Sequence, residues 1–104
     1  MIKNYINWHV EIFNAPPINK VETVAVFDDE SGNYQWLSLG WENGKRIFNT
    51  ILYVRLRVNK INIEEDFSEH CIGNDLVENG VPKTDIVLAF HEPEIRKYTE
   101  FAVV

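Results

Sequence analysis

The sequence predicts an α+β domain: an antiparallel β-meander sheet of about four to five strands, with one main helix packed on one face and short terminal helices. Three observations carry that expectation. Strand-like segments separated by hairpin residues run from Val21 to Glu65. A helix-spaced apolar stripe follows, over Cys71, Ile72, Leu76 and Val77. The 104 residues, 45% hydrophobic and 12% aromatic, suffice for one core, so residues 1–104 read as a single domain.

Taken in order, Ile6, Val10 and Phe13 suit a short helix, which Asn14-Ala15-Pro16-Pro17 stops because proline restricts its predecessor and donates no backbone hydrogen bond. Val21 to Phe27 reads as a strand, and Asp28 to Asn33 as a turn. Tyr34 to Trp41 is a second strand. Asn43-Gly44 is a strong hairpin signal, since a type I′ turn needs positive φ at both central residues. Ile47 to Val58 is a long third strand, Asn59-Lys60 a second tight turn, and Ile61 to Glu65 a fourth strand. Asp66 with Glu69 has capping-box spacing and opens the main helix, which Gly80 and Pro82 end. Ile86 to Phe90 is an apolar run consistent with a strand buried on both faces, and Pro93 suits the first turn of a last short helix.

The two turns set a register. With Asn43-Gly44 at one tip, Leu39 lies opposite Phe48 and Leu37 opposite Thr50. With Asn59-Lys60 at the next, Leu56 lies opposite Ile63 and Val58 opposite Ile61. The expected core face is therefore Leu37, Leu39, Trp41, Phe48, Leu52, Val54, Leu56, Val58, Ile61 and Ile63. The opposite face pairs Arg55 with Glu64, Arg57 with Asn62, Trp36 with Ile51 and Tyr34 with Tyr53. Tyr34, Trp36, Ile51 and Tyr53 thus form an apolar, aromatic cluster on a face that usually meets water, covered either by a terminal segment or by a partner. These four are the partner-interface candidates.

Ten Lys and Arg stand against sixteen Asp and Glu, a formal charge of −6. Phosphate backbones are bound by clustered cations, so direct nucleic-acid binding is not expected, although a basic partner would allow a complex to reach DNA. No apolar run approaches the ~20 residues of a membrane span. Met1 to Tyr5 lacks a signal-peptide pattern, and Cys71 is the single cysteine. The expected location is the cytoplasm.

A catalytic constellation is hard to assemble. Asp66, Glu69 and His70 are close enough in sequence to suggest a small metal-dependent hydrolase, but carboxylates at a helix start are explained by capping. Cys71 falls on the apolar stripe, and His9, His70 and His91 lack zinc-type spacing. Asp28-Asp29-Glu30 lacks the pattern of an EF-hand loop. Phosphate loops and nucleophile elbows are missing. The expectation is a non-enzyme without cofactor or metal. A homo-oligomer with a ligand cleft is a further possibility that the residues do not address.

Leu39-Gly40-Trp41 with Arg46-Ile47, Lys60-Ile61-x-Ile63, Leu76-Val77-x-x-Gly80-Val81-Pro82-Lys83-x-Asp85-Ile86-Val87-Leu88-Ala89-Phe90, and Arg96 to Val103 together resemble the XisI family, the fdxN element excision controlling factors found chiefly in cyanobacteria. The resemblance spans roughly Lys20 to the C-terminus. Met1 to Pro17 is shorter or altered, and Asp66-Phe67-Ser68-Glu69 replaces the family's Asp-Gly-Thr-Glu tendency. The resemblance implies a regulatory protein in programmed DNA rearrangement, acting by protein binding with an XisH-like partner. It supplies no catalytic residues.

Overall fold

The first helix forms because Ile2, Ile6 and His9 recur at helical spacing and are all buried. The computed structural model of the chain describes residues 2–14, 21–67 and 72–103. Helix α1 spans Ile2–Asn14, longer than the sequence suggested, and ends where the proline pair approaches; residues 15–17 lie outside the described residues. A helix of this length is marginal alone in water. It is held by laying its apolar stripe on the sheet, over β1 (Val21–Asp28) and β2 (Asn33–Glu42).

Strands β3 (Lys45–Arg57) and β4 (Lys60–Asp66) continue the meander, and β5 (Ile86–Leu88) completes a five-stranded sheet in the order β1-β2-β3-β4-β5. The first four strands pair antiparallel. The last does not: β5 runs parallel to β4, so the sheet is mixed rather than purely antiparallel. A parallel pair needs a crossover of a dozen or more residues, and residues 67–85, which include helix α2 (Ile72–Glu78), supply it. The main helix expected after Asp66 is described over Ile72–Glu78. Asp66 is the last residue of β4, and its Oδ2 accepts the Ile72 N–H at 3.0 Å. The Glu69 half of the expected capping box lies outside the described residues. Pro93 opens α3 (Pro93–Arg96), as expected. The apolar run expected as a strand to Phe90 is buried throughout Ile86–Leu88, then turns at Ala89-Phe90.

One face of the sheet is the core. Ile6, Leu52, Val54, Ile63, Ile72, Leu76 and Ile86 are buried to 1% exposure or less, and Tyr34, Trp36, Ile2 and Leu88 join them. Burying each large aliphatic side chain is worth about 1.5–3 kcal/mol.

Two features shift the register from the one the turns suggested. A β-bulge at Trp36/Leu37 leaves Ile51 as an extra residue, so Trp36 pairs with Leu52 and Tyr34 with Val54, while Leu37–Thr50 and Leu39–Phe48 pair as expected. The second hairpin turns one residue earlier than Asn59-Lys60: Val58 and Asn59 carry positive φ, and Arg57 pairs with Lys60, Leu56 with Ile61 and Val54 with Ile63. A second bulge at Tyr53/Val54 follows. Together these sort the expected core face into two groups. Leu52, Val54 and Ile63 are core and Ile61 packs against it, whereas Trp41, Phe48, Leu56 and Val58 are exposed.

Candidate functional site

The bulge decides which aromatics meet the outside. Because side chains alternate along a strand, the extra residue Ile51 puts Leu52 and Val54 on the same face as Trp36 and Tyr34, the face under α1, and leaves Leu37, Leu39 and Trp41 on the other. Trp36 is 4% exposed and Tyr34 6%. The His9 ring packs 4.9 Å from Trp36, with Tyr5 on its other flank at 4.5 Å, and its Nδ1 lies 2.9 Å from the Tyr5 carbonyl oxygen. The four candidates of the sequence therefore do not form one exposed surface. Tyr34 and Trp36 are core. Tyr53 lies on the outer face opposite Gln35, partly buried, and donates to Asn33 Oδ1 at 2.7 Å. Ile51 sits at the bulge, half-buried, against an open groove.

That groove lies beside the β2–β3 hairpin. It encloses about 620 Å³ and is lined by Phe48, Asn49, Thr50, Ile51, Glu65 and Phe67. Its origin is a mismatch in strand length: β4 pairs with β3 over Leu52 to Arg57, so the stretch from Lys45 to Ile51 has no β4 partner. Phe67, which donates its N–H to the Ile51 carbonyl at 2.7 Å, stands at the end of the covered part. Two of the groove's lining aromatics are exposed, Phe48 at 63% and Phe67 at 74%, and Trp41 on the adjoining hairpin is exposed at 57%. Leu39 lies across from Phe48, and Arg46 sets its guanidinium 5.6 Å from the Trp41 ring centre. An apolar centre flanked by one arginine has the composition of an interface core.

Of the carboxylate–histidine cluster after β4, only Asp66 lies within the described residues. Asp66 is occupied at the start of α2, and Glu69, His70 and Cys71 lie outside the described residues. Among the described residues no group of three metal-ligating side chains converges. Asp28 is likewise a turn residue: its Oδ1 accepts the Glu30 and Ser31 N–H groups at 3.1 and 3.3 Å, and its Oδ2 accepts the Ser31 hydroxyl at 2.6 Å. No helix among the described residues is long and apolar enough to cross a membrane.

Comparison with known proteins decides the family. The family model described as XisI protein matches residues 1–103. The chain belongs to the XisI family. Its fold is similar to the crystal structure of fdxN element excision controlling factor XisI from Anabaena variabilis ATCC 29413, with a TM-score of 0.84 and 36% sequence identity over 99% of this chain and 92% of that one. It is also similar to a XisI-like protein from the same organism, with a TM-score of 0.79 and 26% identity over the whole of both chains. Among curated proteins none matches significantly. The XisI match includes the N-terminal helix, which the residue-level resemblance had left out. In this XisI chain the aromatic tip at Trp41 and Phe48 had been assigned to the core. The signal that reveals it is length: a strand from Lys45 to Arg57 outruns a partner ending at Asp66.

Proposed function

We propose that this XisI-family chain is an accessory control factor for excision of a DNA element, acting by protein binding and not by catalysis. Its partner in this reading is an XisH-like protein, which the chain engages through the aromatic tip of the β2–β3 hairpin. The observation that carries the reading is the exposure of Phe48 and Phe67 on one groove, with exposed Trp41 on the adjoining β2–β3 hairpin. Monomers seldom leave large apolar groups clustered in water, and aromatics dominate the energetically important centres of interfaces. The hairpin tip replaces the Tyr34–Trp36 cluster as the binding surface because α1 already covers the latter. Of the earlier four candidates, Ile51 keeps a place in the groove. Similarity to an fdxN element excision controlling factor supplies the biological setting.

The reading is tested with a reporter carrying an excisable element and its recombinase. Adding the chain together with the XisH-like protein should change the excised fraction measured by quantitative PCR. The double variant Trp41→Ser/Phe48→Ser should abolish that change while folding normally. An excised fraction indifferent to the chain, or equally affected by the double variant, would sink the proposal.

A further inference from the structure

Where β3 outruns β4 it leaves an open sheet edge, and alternation fixes which main-chain groups that edge offers. Glu42 and Lys45 close the two-residue Asn43-Gly44 turn, so Lys45 aims its N–H and C=O at β2, as do Ile47 and Asn49. Arg46, Phe48 and Thr50 aim theirs the other way. The next hairpin behaves alike: Arg57 and Lys60 close it, and Leu56, one residue back, donates away from β4 to the Gly32 carbonyl at 2.8 Å. Among the described residues nothing bonds the outward groups of Arg46 and Phe48; main-chain bonding on that side starts at Ile51, whose carbonyl accepts from Phe67. Lys45, Arg46, Phe48 and Asn49 are exposed, and Ile47 is half-buried.

A row of unpaired main-chain groups is matched by an extended strand. The open stretch is bounded at both ends, by the Asn43-Gly44 turn and by Phe67 at Ile51, so the incoming strand must itself stop after a few residues. The β2–β3 hairpin of a second copy has that length, and its sequence fits itself. Set antiparallel about a two-fold axis at Ile47, Arg46 falls opposite Phe48 of the other copy, Ile47 opposite its own counterpart, and Lys45 opposite Asn49. Arg46 and Phe48 then exchange both main-chain bonds across the axis. The incoming Gly44 stands across from Thr50, one residue short of Ile51.

Side chains agree with that register. No cation meets a cation, which directly opposite would destabilise the pair, and Ile47 gains an apolar cross-strand partner. On the outer face the Arg46 guanidinium, 5.6 Å from the Trp41 ring centre, receives the Phe48 ring of the other copy on its free side. Sliding one copy by two residues, so that Phe48 meets Phe48, would set Lys45 against Ile51, the place that Phe67 already holds.

We propose that the chain forms a two-fold dimer by joining β3 to β3 along Lys45–Asn49, so that the two sheets become one. Trp41 stays on the outer face, one strand away from the joined edge. The dimer depends neither on the excision reading nor on an XisH-like partner.

The test is the mass of the chain alone, by sedimentation equilibrium at concentrations up to about 1 mM. A dimer in reversible exchange with monomer is expected. Arg46→Pro removes an outward N–H from each copy while sparing the β2 side, and should weaken the dimer roughly tenfold or more. Since proline can also disturb the strand, a second variant reads the register directly. In a Cys71→Ser background, Ile47→Cys should join two copies by a disulfide on mild oxidation, because positions opposite each other in a non-hydrogen-bonded pair stand about 4.5 Å apart at Cα. Val26→Cys, on the edge strand β1, should not. A chain that stays monomeric throughout, a dimer indifferent to Arg46→Pro, or a disulfide at Val26→Cys but not at Ile47→Cys would overturn the proposal.

Discussion

Asp29 ties the first helix to the sheet with two hydrogen bonds. Its Oδ2 accepts from Lys3 Nζ at 3.0 Å and its Oδ1 from the Tyr34 hydroxyl at 2.9 Å; the tyrosine ring is buried while its hydroxyl reaches the surface. The Lys3 bond first, then the Tyr34 bond, hold the Asp29 carboxyl below its ordinary value of 3.8, and the Ser31 hydroxyl and N–H do the same for Asp28. A carboxyl lowered by folding contributes stability above its unfolded pKa and loses it as pH falls through the folded one. Melting curves of the native chain and Asp29→Asn should therefore be separated near neutrality and converge between about pH 4 and pH 2. A gap that stays constant over that range would contradict the assignment. For Lys3, raised by the same contact, the loss comes instead at alkaline pH, above its ordinary 10.5.

Backbone conformation gives two more tests at this scale. Gly32 has φ 73°, and a Cβ there would stand 2.9 Å from the Leu56 carbonyl oxygen, whose own N–H donates to Gly32. Gly32→Ala should cost about 1–3 kcal/mol in urea unfolding, and an unchanged midpoint would refute the close approach. Val58→Asn should stabilise by about 1 kcal/mol, because asparagine tolerates the left-handed region. A variant no more stable than the native chain would show that Val58 is not strained.

Among the elements, the bulge at Trp36/Leu37 governs everything downstream. Asn43-Gly44 was legible because its φ requirement is written in two residues, and the pairs Leu39–Phe48 and Leu37–Thr50 followed from it. Beyond Leu37 the alternation is reset by Ile51, an ordinary strand residue that carries no local mark of a bulge. Likewise Val58-Asn59 turns where propensity favours Asn59-Lys60, so each β3 residue's partner on β4 shifts by two residues and the faces are kept. The two tryptophans of β2 measure the consequence. Trp36→Ala should cost about 3–5 kcal/mol, as removal of a buried aromatic does. Trp41→Ser should stay within about 0.5 kcal/mol of the native chain. The reverse order would restore the sheet faces that the turns alone suggest.

At the scale of the whole molecule, the α+β class, the meander and the Pro93 helix start were all readable from periodicity and turn chemistry. The parallel β5 was not, since pairing direction depends on where the crossover through residues 67–85 delivers the chain. The candidate interface was half legible. An aromatic cluster on the outer sheet face was expected, but which aromatics face outward depends on the bulge. The molecule, 42 × 26 × 25 Å, carries an aromatic tip at one end of β3. The measurement that bears most directly on its proposed role is co-expression with an XisH-like protein, followed by size-exclusion chromatography with light scattering. The account predicts a mixed complex whose mass includes both chains, lost on Trp41→Ser/Phe48→Ser. A homodimer of this chain with no mixed species, or a mixed complex indifferent to that double variant, would contradict it.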